Sequence, residues 1–103
     1  MRLALVVEYE GTRYHGFQYQ PAVPTIQEEL ENAIARLDGD RPRVQGAGRT
    51  DAGVHATGQV VAFDTAADHP PATFVRALNH YLPEDIVVKA AHGNATRIVW
   101  TGN

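Results

Sequence analysis

The stretch Thr25-Ile26-Gln27-Glu28-Glu29-Leu30-Glu31-Asn32-Ala33-Ile34-Ala35-Arg36-Leu37-Asp38-Gly39 opens on a capping box. A Thr three residues ahead of a Glu lets each side chain satisfy an orphan N–H of a first helical turn. Behind it Ile26, Leu30, Ala33, Ile34 and Leu37 recur at helical spacing, and Gly39 is a natural C-terminal stop. On one side, Arg2–Tyr9 sets Leu3, Leu5, Val7 and Tyr9 against Ala4, Val6 and Glu8, the period of a strand, and Gly11 ends it. On the other, residues 42–48 read as a short strand, followed by a Gly-rich turn and a strand over Gln59–Asp64. Ala66–Pro71 links to a second helix with Phe74, Leu78, Tyr81 and Leu82 on one face and Pro83 as its stop. Ile86–Ala91 is the last strand. The order β-α-β-β-α-β predicts an α+β, ferredoxin-like domain, an antiparallel four-stranded sheet with two helices on one face.

Composition bounds the rest. The 103 residues fit one ordinary domain, and the absence of Cys excludes a disulfide scaffold, thiol catalysis and cysteine zinc sites. No apolar run approaches the roughly 20 residues of a membrane helix, and the N-terminal run is too short for a signal peptide. These features lead us to expect a soluble, cytoplasmic chain without membrane partners. The net charge of −3 is low for a dedicated nucleic-acid binder, but it is unevenly spread. Residues 1–40 are acidic, whereas Arg41, Arg43 and Arg49 fall within ten residues that hold no acid. Eight of the nine basic residues are Arg, which suits planar phosphate or base recognition but equally reflects a coding bias shared with the 15 Ala.

The densest unusual segment is Gly46-Ala47-Gly48-Arg49-Thr50-Asp51-Ala52-Gly53-Val54-His55-Ala56-Thr57-Gly58-Gln59. Its Gly residues permit left-handed backbone and close approach to a ligand. Arg49 and Asp51, two apart, would share one face of an extended backbone. A carboxylate already ionised at neutral pH could serve as nucleophile or base. A turn or bulge capped by Asp51 fits the same spacing. The segment lacks the Gly-Lys-Ser/Thr of a Walker loop, and the five scattered His show no metal-ligand spacing. In the first loop Tyr9, Tyr14, Phe17 and Tyr19, with Gln18 and Gln20, could stack on exposed bases or pack over the sheet edge. Glu28, Glu29 and Glu31 are expected on the solvated face of the first helix.

Gly46–Val60 resembles the catalytic motif of the TruA family of tRNA pseudouridine synthases. Three further blocks agree in order: Glu8–Gln20 with the opening motif, Thr25–Glu31 with the first-helix signature, and Leu78–Ile86 with a Leu-Asn…Leu-Pro-x-Asp-Ile element. Glu10 and Phe17 stand where Asp and Trp are more usual. The resemblance implies isomerisation of uridine to pseudouridine in the tRNA anticodon stem-loop, without metal or cofactor. It implies Asp51 as the catalytic carboxylate and Arg49 as the basic partner supporting base flipping. Thr50, His55 and Gln59, together with Tyr14, Gln18 and Gln20, would shape the loops or contact RNA.

The family is similar to a tandem of two such halves working as a dimer. Residues 1–91 resemble only the N-terminal half, and 92–103 resemble nothing in the family, as a truncated or frameshifted end would. The isolated chain is therefore expected to be inactive without the missing half, and its uncovered apolar surface to lead to homodimerisation or sheet-edge pairing. Alternatives on the same fold are a non-catalytic RNA-binding or self-associating module, or a small-molecule regulatory domain.

Overall fold

The computed structural model describes residues 2–46 and 56–93. Strand β1 (Arg2–Tyr9) buries Leu3, Leu5 and Val7 completely and Tyr9 almost so, while the alternate residues stay partly open. Its apolar period therefore fixes which face meets the core. A 3₁₀ turn at Gly11–Arg13 leads into the first loop. Helix α1 (Ile26–Asp38) begins where the capping box predicts, the Thr25 hydroxyl accepting from the Glu28 N–H at 3.3 Å. It ends on Gly39 in the left-handed region, with φ +85°.

Strands β2 (Gln45–Gly46) and β3 (Ala56–Asp64) are followed by α2 (Pro71–Tyr81) and β4 (Ile86–His92). Pro71 occupies the first turn of α2, where its missing N–H costs nothing. The sheet order is β2-β3-β1-β4, with β3 and β4 antiparallel to β1 on either side of it and β2 antiparallel to β3. This is the expected ferredoxin-like, α+β arrangement.

Leu3, Leu5, Val7, Val61, Phe63 and Val88 join Ile26, Leu30 and Ile34 of α1 and Phe74 and Leu78 of α2 in one core. Both helices therefore lie on the same sheet face. Phe63 and Phe74 meet edge to face, their ring centroids 6.1 Å apart. From α2 the Asn79 side chain donates to the Val88 carbonyl at 2.9 Å and accepts from the Val88 N–H at 2.7 Å. The other sheet face carries small residues, Ala4 opposite Ala62 and Val6 between Val60 and Ala90. Charged side chains rim it: Arg2 reaches Asp64 at 3.3 Å and Lys89 reaches Glu8 at 3.6 Å.

Three expectations need correction. The strand expected from residue 42 pairs only from Gln45, because the Val44 N–H is given to the Glu31 carboxylate at 2.9 Å and not to a neighbouring strand. Glu31 is consequently buried at 8 % exposure and does not belong to a solvated face. The third strand also begins earlier than expected, at Ala56.

Candidate functional site

Asp51, Arg49, Thr50 and His55 lie outside the described residues, and so does most of the Gly-rich motif. Its two flanks are described. Before it, Gly46 pairs with Val61 of β3; after it, Ala56 pairs with Tyr9 at the end of β1. Each flank is tied down by a buried polar side chain. On the upstream side, Glu31 Oε2 accepts from the Val44 N–H and from Gln27 Nε2, both at 2.9 Å, and Arg41 Nε approaches Oε1 at 3.5 Å. Gln27 and Glu31 are four apart on α1, so one helix face presents both. On the downstream side the Tyr9 hydroxyl donates to Gln59 Oε1 at 3.3 Å, and Gln59 is buried. Gln59 thus lies on the core side of β3, facing the helices.

The first loop divides its aromatic residues between two environments. Tyr14 and Phe17 are 5 % and 3 % exposed and belong to the core, whereas Tyr19 is 46 % exposed. Burial covers the Tyr14 ring, and its hydroxyl donates to Asp85 Oδ1 at 2.7 Å. Arg13 Nε donates to the other oxygen of the same carboxylate at 2.8 Å. Burial, then the Asp85 hydrogen bond, pushes the Tyr14 phenol above its ordinary value. Burial also works to raise the Asp85 carboxyl, but the hydrogen bonds from Arg13 and Tyr14 outweigh it and hold it below its ordinary value. Gln20 Nε2 donates to the His15 carbonyl at 2.8 Å, closing the loop on itself, while Gln18 stays exposed.

Between this loop and the Arg41–Gly46 segment run two adjoining cavities of about 310 Å³ each, sharing Tyr19, Gln27 and Arg43 as lining residues. Gln27 bridges the walls: its Oε1 accepts from the Tyr19 N–H at 2.8 Å while its amide nitrogen serves Glu31. Sequence reasoning placed Glu31 on a solvated face and singled out neither Gln27 nor Asp85. The i, i+4 spacing of Gln27 and Glu31 was the available signal; Asp85 finds its partners 71 and 72 residues away.

Residues 5–96 match the family model described as tRNA pseudouridine synthase. The chain is similar to the tRNA pseudouridine synthase A of Syntrophomonas wolfei, 56 % identical over 87 residues, which cover 84 % of this chain and 35 % of that protein. The Aeromonas hydrophila protein of the same name is 52 % identical over 89 residues, 86 % of this chain and 33 % of that one. For the Rippkaea orientalis protein the figures are 50 % over 90 residues, 87 % and 31 %. The chain spans about a third of the length of the curated relatives it matches.

Proposed function

The chain belongs to the tRNA pseudouridine synthase family, and from that membership we propose that it forms the carboxylate-bearing wall of an active site converting uridine to pseudouridine in tRNA. The observation that carries this reading is the match of residues 5–96 to the family, since those residues contain the whole motif around Asp51. The described flanks support it. The chain enters the motif from a segment clamped by Glu31 and leaves it on a strand whose Gln59 is bonded to Tyr9. A reacting group held between two fixed ends loses less freedom on reaching its working position.

In this reading a uridine of the anticodon stem-loop is flipped out at a cost of a few kcal/mol. The Asp51 carboxylate assists cleavage of the N1 glycosidic bond, by attack on ribose or base or by removing a sugar proton. The freed uracil turns and rejoins the sugar through C5, which gives up its proton to solvent while N1 takes one up. Substrate and product have the same atoms, so no redox partner is required. Arg49 supports flipping and orients Asp51, Gln59 holds the strand that leaves the motif, and Thr50, His55, Gln18 and Gln20 shape the loops or touch RNA. A tRNA substrate suits a cytoplasmic site of action. The small-residue face of the sheet suits contact with a second half or a second copy, and these 103 residues alone should turn over little or no RNA.

A chimera tests the proposal. With this chain in place of the matching segment of the Syntrophomonas wolfei relative, tRNA should acquire carbodiimide-reactive pseudouridine, and Asp51→Asn should abolish it. A folded chimera that binds tRNA without modifying it, or that modifies it equally well as Asp51→Asn, would overturn the proposal.

A further inference from the structure

We infer that the groove between Gln18–Tyr19 and the Arg41–Gly46 segment binds a single-stranded stretch of RNA, one base stacked on Tyr19 and one phosphodiester held by Arg43. The inference rests on the tRNA reading above but concerns a subsite separate from the reacting carboxylate. Three features carry it. Tyr14 and Phe17 are sealed in the core, yet Tyr19 is left 46 % exposed and lines a cavity. Its backbone is not loose, because Gln27 holds the Tyr19 N–H at 2.8 Å. An exposed ring on a fixed backbone is a stacking platform that tolerates any base.

Charge is the second feature. The groove floor contains a carboxylate, Glu31, which would repel RNA if left open. Val44 N–H, Gln27 Nε2 and Arg41 surround it, so its charge is spent inside the protein. Arg43 is exposed on the wall and makes no ion pair with a described residue, leaving its planar guanidinium for a phosphate oxygen.

Continuity is the third feature. The Gly46 end of the groove is joined directly to the motif carrying Asp51, and its volume of about 310 Å³ per cavity lies within the usual range for ligand sites, about 300–1,000 Å³. A strand lying there would be the nucleotides next to a flipped uridine, since those are unstacked when it leaves the helix.

Fluorescence anisotropy of the full chain with a labelled single-stranded oligouridine tests the site. Tyr19→Ala should weaken binding by about tenfold and Tyr19→Phe by no more than about twofold, because the ring and not the hydroxyl stacks. Arg43→Gln should flatten the dependence of log affinity on log salt by about 0.7, the loss of one phosphate contact on a single strand. Arg76→Gln, on α2, should leave affinity and slope unchanged, and a blunt RNA duplex should bind more weakly than the single strand. No association of the wild-type chain, affinity indifferent to Tyr19 and Arg43, or equal loss in Arg76→Gln would overturn the inference. Asp51-dependent modification by the chimera, undiminished by Tyr19→Ala and Arg43→Gln, would remove the groove while leaving the catalytic reading intact.

Discussion

The Tyr14 hydroxyl donates to Asp85 at 2.7 Å and thereby fastens the loop after β1 to the turn before β4. Arg13 takes the second carboxylate oxygen. Tyr14→Phe removes a hydrogen bond to a charged acceptor and should cost about 1.5–3 kcal/mol in urea unfolding. The same pair sets a pH dependence. The folded-state Asp85 carboxyl titrates below its unfolded value near 4, so the unfolded chain takes up the proton first as pH falls. The contribution is complete above about pH 5 and is lost as pH drops through the lowered folded-state value. Asp85→Asn should therefore flatten the acid limb of a stability-versus-pH curve; an unchanged limb would show that the latch does not form.

Glu29 titrates in the opposite sense. Burial, then repulsion from Glu28 and Asp85, raises its carboxyl above the ordinary value. An ionised Glu29 is accordingly a small burden at neutral pH that disappears on acidification. Glu29→Gln should raise the thermal midpoint modestly at pH 7 and lose its advantage near pH 4, as differential scanning fluorimetry would read.

The Glu31 clamp makes a different demand. Glu31→Ala leaves the Val44 N–H without its acceptor and should cost about 1–3 kcal/mol. Glu31→Gln keeps an acceptor oxygen and should recover part of the loss. Faster hydrogen exchange at the Val44 amide in Glu31→Ala, measured by NMR, would locate the damage at the entrance to the motif.

In the core, Phe74→Ala should cost about 3–5 kcal/mol, since a fully buried ring in contact with Phe63 is removed. Against a total of about 5–15 kcal/mol this leaves the variant close to unfolding, visible as a large fall in urea midpoint by circular dichroism.

Gly39→Ala isolates backbone conformation from space. Apart from its own chain neighbours, nothing lies within 4 Å of where its Cβ would stand, so packing offers no objection. The φ of +85° does, and the variant should lose about 1 kcal/mol by thermal unfolding.

Local chemistry made much of the fold legible. The Thr25 cap, the Gly39 stop and the Pro71 start depend on near neighbours in the chain, and each stands where its residues predict. Alternation did the same for Arg2–Tyr9, because one face of that strand is wholly buried. The strand expected over 42–48 failed at its start through a partner 13 residues back, a helix carboxylate that claims the Val44 N–H before any strand can. Burial of Tyr14 was hidden for a similar reason, since its acceptor lies 71 residues on. The central candidate residues, Arg49 to Asp51, were legible only as a motif, and they lie outside the described residues.

The Asn79 amide has a consequence for the fate of this chain among its own copies. Among the described residues strand β4 ends the sheet, and an arriving strand needs free donors and acceptors along that margin to add itself. At Val88 both groups are already engaged by one side chain of α2. Lengthening the sheet past that point would require the Asn79 amide to release Val88 first. A strand added there would therefore lose its pairing at Val88 for as long as the Asn79 amide stays in place.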